Sequence, residues 1–560
     1  MTTPEHFDAV VIGSGFGGSV SAYRLAEAGL RVCLLERGKS YPPNSFARSP
    51  REMSDNFWDP SEGHHGLFQV WGFHGIDAIV SAGLGGGSLI YANVLLRKDP
   101  SWFYNRSATG VLEPWPFTYD DLVPHYEAVE SVLTPRRYPL AYEPYASTPK
   151  TVAFRAAAAA TGLEWSAPPL AVTFANPGRA PTVGEPIVDA DGQIPPNLHR
   201  HTRLTCRLCG ECDIGCNYGS KNTLDYTYLS RAAQLGAELR TLCEVTQFAP
   251  HERGGYRVDY INHLADNEGR TTDTHALARD SIHTDRLILS AGTFGSTYLL
   301  LRNRGNFPGL SPALGRGFSG NGDILGLIEA ADRPLDPSRG PVITSTVRVD
   351  DTADGGTGPG YYIQEGGMPQ IFSWLLEITD APSEARRALG FAAHWLHSRL
   401  TGDPHTEVDA ELERLIGRGT KSASFLPLLG MGRDSPDGRF SLRDDRYLAL
   451  DWSARSSDDY IERVRGSMKD IAAALGGKYR DDPVWYLRKL ITVHALGGCR
   501  VGFGASDGVV DSNGQVFGYP GFFVADGSVM PGPVGPNPSL TIAALADKFA
   551  GSMIAARSNG

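Results

Sequence analysis

An α/β fold with a nucleotide-binding βαβ unit and an inserted second lobe is predicted by three observations. The chain opens on a strand–glycine–helix–strand passage, two later apolar strands also end on glycine, and the stretch between them has different turn chemistry. At 560 residues the chain exceeds the roughly 250 to 300 at which one hydrophobic core stops growing, so at least two lobes are expected. Apolar residues form 41% and charged ones 21% of it, as in an ordinary globular protein. A formal charge of -11 without a basic stripe argues against a nucleic-acid partner, whose phosphates demand clustered Lys and Arg. Met1–His6 is short and polar, unlike a signal peptide, and the apolar runs fall short of the ~20 residues of a membrane helix. The expectation is a cytoplasmic protein without stable membrane insertion.

The first element is an apolar strand through Ile12, followed by the glycine turn of GSGFGGS, a helix from about Phe16 to Ala28 and a strand over Val32–Leu35. Gly13 permits the tight turn, Gly15 lets the backbone approach a pyrophosphate, and Gly18 lets the helix pack on the strand. The helix N-terminus offers free amides and a positive dipole end. Glu36 follows Gly13 by 23 positions, where a carboxylate accepts hydrogen bonds from an adenosine ribose and disfavours a 2′-phosphate. FAD and NAD both satisfy this fingerprint, and the choice rests on the rest of the chain.

Next comes SAGLGGGSLIYANVLLR, residues 81–97, whose glycines suit close approach of backbone to a bulky group. Asp285–Gly305 repeats the strand–glycine–helix pattern, and GFFVADGSVMPG is an apolar strand ending at Asp526 and Gly527; the three strands are candidates for one sheet. Residues from about 330 to 490 carry Pro- and Gly-rich turns and alternating strand-like pieces, which suits an inserted substrate lobe.

The motifs GSGFGGS, GLGGGSLIYAN, WPFTYDDLVPHYEAVE, LSAGTFGS, HALGGCRVG and VADGSVMPGPVGPNPSLTIAALAD span nearly the whole chain. In that order they resemble the glucose-methanol-choline (GMC) flavoenzymes, and HxLGGC followed by NPSLTIAALA is similar to the cholesterol oxidase branch. Ala495 departs from the branch's usual proline but leaves the histidine in place. The resemblance implies a Rossmann-like FAD-binding domain of the GMC type, discontinuous over 1–40, 75–100, 225–325 and 488–560. Substrate-binding or cap regions then fall at 41–74, 101–224 and 326–487, built on a mixed or antiparallel sheet with helices. It implies FAD held by Gly13, Gly15, Phe16, Gly17, Gly18, Glu36, Gly83, Gly85, Gly86, Gly87, Ser88 and Asn93. Val245, Ala291, Gly292, Asp526, Gly527, Asn537 and Pro538 complete that set.

The resemblance also implies that His494 and Asn537 face the reactive edge of the flavin. Oxidising an alcohol removes a hydride from carbon, which FAD accepts, and a proton from oxygen. An imidazole with a pKa near 6.5 can take that proton, and an amide can hold the oxygen in line. Glu365, in YYIQEGGMPQ, is similar in place to a carboxylate that moves a proton between carbons in steroid-oxidising relatives. Buried, with a raised pKa, it would serve as that base; otherwise it is a turn residue.

Cys206, Cys209, Cys212 and Cys216 follow C-x2-C-x2-C-x3-C, the spacing that wraps an iron–sulfur cluster in bacterial ferredoxins, with Asn217 in place of the usual proline. The same spacing suits structural zinc, and the family includes members without a metal here; all three states stay open. The leading expectation is oxidation of a secondary alcohol on a bulky apolar substrate, a steroid or terpenoid, to a ketone, with oxygen or another electron acceptor completing the cycle. Phe372, Trp374, Leu375, Phe391 and Trp395 are candidate pocket or core residues. The alternatives are an alcohol or polyol dehydrogenase passing electrons through an iron–sulfur cluster, a non-redox lyase with structural FAD, and an electron-transfer module centred on the cysteines.

Overall fold

The computed structural model describes residues 5–106, 111–263, 268–329, 331–368, 424–482, 485–486 and 488–556. Phe372, Trp374, Leu375, Phe391 and Trp395 lie outside these residues. Strand β1 (Glu5–Ile12) is parallel to β2 (Val32–Leu35), and helix α1 (Phe16–Glu27) crosses between them. All of Val32–Leu35 and most of β1 are buried, as expected for parallel strands covered on both faces.

The other two apolar strands join the same sheet. Arg279–Leu289 lies parallel to β1 and, at its C-terminal end, to Phe522–Val524, with Leu287 opposite Phe522 and Leu289 opposite Val524. Glu238–Arg240 extends the other edge beside β2, and the antiparallel hairpin Cys243–Pro250/Tyr256–Asn262 closes the seven-stranded sheet. Helix Ser539–Ala555 packs on α1 and on Tyr119–Leu133. The switch from parallel to antiparallel pairing leaves the carboxyl ends of β1, Arg279–Leu289 and Phe522–Val524 side by side. That crevice is where open α/β sheets bind ligands.

The second lobe is a six-stranded antiparallel sheet in the order 164–166, 346–349, 361–365, 426–432, 324–329 and 478–481. Helices Pro149–Thr161 and Asp458–Ala474 pack on each other and on one face of this sheet, burying Ile363, Val347, Leu426 and Leu428 against Phe154, Val464 and Met468. Its other face turns toward the first lobe, where Tyr362 and Met431 pack on Trp102. No helix among the described residues is long and apolar enough to cross a membrane.

Candidate active site

At the turn after β1, Gly13 has φ +95°, and a side chain there would meet the Ser290 carbonyl. Gly15 differs, because a Cβ built on it has no protein atom within 4 Å, so its open side faces the crevice. Gly15 also caps α1 without any side-chain hydrogen bond, leaving the first-turn amides free for an anion. Gly17 and Gly18 are packing residues: added Cβ atoms would lie 1.5 Å from the Ala525 carbonyl and 2.0 Å from that of Gly13. Phe16 is buried, its ring edge-on to Tyr91.

Glu36 accepts from the Ser14 amide at 3.0 Å and hydroxyl at 2.6 Å through one oxygen, and from the Gly38 amide at 2.9 Å through the other. The second oxygen keeps a lone pair for a further donor such as a ribose hydroxyl. The Ser14 hydroxyl, which sequence reasoning passed over and whose one proton goes to Glu36, also lies 3.2 Å from the Gly83 carbonyl and accepts from the Gly85 amide at 2.9 Å. It thereby fastens the glycine loop 83–88 to the turn. Gly86 touches Gly15, Gly87 has open space, and Ser88 is buried, donating to the Gly85 carbonyl. Asn93 is fully buried with φ +69°, beside the Cys212 thiol, and neither atom of its amide has a hydrogen bond of ordinary geometry. With the Cys212 thiol as its weak neighbour, this buried amide keeps hydrogen-bonding capacity that a bound group could use.

Asp526 uses both carboxylate oxygens inside the protein, accepting from Ser528 on one side and from the Gly292 amide and Ser296 hydroxyl on the other. It locks the turn at Ala291 and Gly292 to the strand end at Gly527. Val245 is buried on the antiparallel hairpin, and Pro538 caps the last helix.

His494 and Asn537 come from separate loops, and one short segment holds both. Asp323 accepts from Thr492 Oγ1 at 3.0 Å and the Val493 amide at 2.9 Å, and its other oxygen lies 2.8 Å from His494 Nδ1. Two residues earlier, Asn321 donates to the Gly535 and Pro536 carbonyls at 3.3 and 3.1 Å and accepts from the Gly535 amide at 2.9 Å. Ser319 pairs with Leu496 through two backbone bonds. With Nδ1 facing a carboxylate, the neutral imidazole carries its proton there and leaves Nε2 as an acceptor. The His494 side chain is 14% exposed, so it is not sealed in the interior. Asn537 is buried and exchanges two hydrogen bonds with Gln364, at 2.8 and 3.3 Å.

Glu365 requires a correction. It follows Gln364 on a strand whose side chains alternate, so it points with Tyr361 and Ile363 toward the helices rather than with Gln364 toward Asn537. There Lys150 Nζ donates to it at 2.5 Å, and both the amide and hydroxyl of Thr344 donate to its other oxygen. Burial pushes its carboxyl up while Lys150 pulls it down. On the face away from Asn537 this carboxylate is thus engaged in a buried ion pair with Lys150. We predict that E365Q, which leaves Lys150 uncompensated in the interior, costs about 3–5 kcal/mol of stability in urea unfolding. The folded fraction keeps its rate of flavin reduction.

Of the three states open for the cysteine loop, the geometry does not support a bound metal. Among the described residues no group of three or more His, Cys, Asp or Glu side chains is disposed to hold a metal ion. Cys206, Cys209, Cys212 and Cys216 share one loop without converging into a cage. Cys206 sits in an apolar cluster with Tyr138 and Phe174, and burial raises the Cys206, Cys209 and Cys212 thiols, favouring the protonated forms. Lys221, which sequence reasoning missed, threads among them. Its ammonium donates to the Leu89, Tyr91 and Cys212 carbonyls at 3.1, 2.8 and 2.7 Å and is lowered by burial to about 8. The cysteine loop is thus a clamp on the backbone before Asn93.

Residues 441–546 match the family described as GMC oxidoreductase, and residues 11–42 match an NAD(P)-binding Rossmann-like domain. The chain is 28% identical to a cholesterol oxidase of Mycobacterium tuberculosis, over 97% of this chain and 90% of that one. It is 26% identical to a cholesterol oxidase of Acinetobacter baumannii, over 97% and 93%. It is 24% identical to a 2-methyl-1,2-propanediol dehydrogenase of Mycolicibacterium austroafricanum, over 99% and 96%. Among solved structures, pyridoxine 4-oxidase from Mesorbium loti superposes with a TM-score of 0.59 at 17% identity, covering 97% of this chain and 98% of that one. The last likeness concerns the fold alone.

Proposed function

We propose, for a chain that is an FAD-dependent GMC oxidoreductase acting on alcohols, that its substrate is a bulky apolar secondary alcohol, a steroid or terpenoid, and its product the ketone. In this reading FAD would be held by Gly15 and the α1 amides at its pyrophosphate, by Glu36 at its ribose, and by Gly86, Gly87 and Asn93 nearer the reacting end. Bound FAD supplies the hydride acceptor. His494 Nε2 takes the hydroxyl proton, and Asn537, oriented by Gln364, holds the substrate oxygen so that the carbinol C–H points at the acceptor.

The observation that carries the assignment is the His494–Asp323 contact, which engages Nδ1 and leaves Nε2 as the acceptor of a side chain that is not fully buried. The steroid class is supported by the higher identity to the two cholesterol oxidases, 28% and 26%, than to the diol dehydrogenase, 24%, all over nearly the whole chain. With Glu365 on the opposite sheet face, the reading ends at the unisomerised ketone. A panel of a 3β-hydroxysteroid, terpenoid alcohols, long-chain alcohols and small diols, assayed in air and with an artificial electron acceptor, tests this. The expected result is the highest kcat/KM for the steroid or a terpenoid alcohol. Turnover of small diols with none of the bulky alcohols would overturn the substrate class while leaving alcohol oxidation intact.

A further inference from the structure

Behind His494 lies a second buried acid that the mechanism above does not use. Asp434 follows the strand Leu426–Gly432 and accepts from the Ser319 hydroxyl at 2.5 Å and the Gly320 amide at 3.0 Å. Asp323 occupies the same pocket of structure: one small interior cavity is bordered by Gly320, Asp323, Ile324, Asp434, Tyr460 and Ile461. Its size is that of about one water molecule. Other charged or titratable groups lie near the pair. Arg433 donates to the Trp102 and Tyr104 carbonyls and pairs with Asp351, the Tyr460 hydroxyl donates to the Gly322 carbonyl at 2.7 Å, and the His494 ring contacts Asp323.

Two carboxyls that border one small buried pocket do not both ionise freely. Both carboxyls accept hydrogen bonds, Asp434 from Ser319 and Gly320 and Asp323 from Thr492 and Val493, but only Asp323 faces the imidazole, which gives it the better claim to the charge. We propose that Asp434 is a positioning residue for His494: with Asp323 it forms a one-proton carboxyl pair in which Asp434 holds the proton and Asp323 the charge. The imidazole therefore faces a single negative charge, enough to fix its tautomer and stabilise the imidazolium, but not so much that the proton stays on Nε2. Consistent with this geometry, burial lifts the Asp434 carboxyl to about 7, and the neighbouring Asp323 pushes in the same direction. Above that pH a second charge develops behind the imidazole and raises its proton affinity.

The inference rests on His494 being the proton acceptor, so the test separates the two claims. The FAD-loaded protein, labelled with 15N-histidine, is titrated by NMR from pH 5 to 9, with H494A assigning the resonance. The expected result is a His494 midpoint that falls by about half to one pH unit in D434N, because the second charge can no longer form. A further readout is thermal unfolding. A carboxyl raised from 3.8 to about 7 on folding contributes stability that is full below pH 3.8 and lost as pH rises through 7. D434N, with no such proton to lose, is therefore expected to gain on the native protein as pH rises from 5.5 to 8.5. Superimposable His494 curves, or no His494 titration in either protein, would overturn the carboxyl pair. Undiminished flavin reduction in H494A would instead overturn the assignment of His494, whatever D434N does.

Discussion

H494A is expected to fold, to bind FAD in full, and to reduce it on mixing with alcohol at least roughly 10²-fold more slowly than the native protein, the scale of a positioned acid–base group. Alanine removes the imidazole but leaves Asp323 bonded to Thr492 and the Val493 amide, so the loop keeps two of its anchors. Substrate affinity then changes little, and the loss falls on the reduction step rather than on KM. Anaerobic stopped-flow absorbance separates the two. Added imidazole is expected to restore part of the rate, as it would not if His494 only braced the loop. A rate within a fewfold of native would remove His494 from the mechanism.

The second large effect is expected at Gly17. A Cβ there would lie 1.5 Å from the Ala525 carbonyl, and neither the helix start nor the strand end can yield, because Ser290 and Asp526 fasten that strand end to Arg279–Leu289 and to the turn at Gly292. Overpacking of a tight core costs about 1–3 kcal/mol and more where backbone must move. G17A is accordingly expected to be poorly folded and colourless. G15A is its control, since its added methyl meets no protein atom within 4 Å. It is expected to keep native circular dichroism and melting cooperativity while binding FAD more weakly, because only a bound pyrophosphate would occupy that space. Equal loss of fold in both variants would contradict the division of labour between these glycines.

The elements of the first lobe were legible because local signals agree there. The apolar run ending at Ile12, the glycine turn and the run Val32–Leu35 set strand and helix limits to within a residue. The strand ending at Val524 was legible for the same reason, and it does join the strand ending at Leu289. His494 and Asn537 stood out only through the motifs around them. Asp323 did not, because its bond to His494 spans 171 positions and SGNGD reads locally as an ordinary turn. Gln364 and Glu365 show a different limit. In a strand, one position decides the face, and the carboxylate that chemistry singled out is the one that points away. The cysteines show a third, since spacing along a chain brings thiols near one another but does not make them converge. Here burial and the Lys221 ammonium shape the loop instead.

The central claim is that an alcohol loses its hydride to the flavin at the His494 end of the crevice. Its most direct measurement is an anaerobic single turnover: the FAD-loaded protein is mixed with a 3β-hydroxysteroid or the best alcohol of the panel, and flavin absorbance and product are followed together. The account predicts one ketone formed per flavin bleached, in the native protein and not in H494A on the same time scale. Product accumulating while the flavin stays oxidised would contradict it and identify the reaction as a lyase step in which FAD only supports the fold.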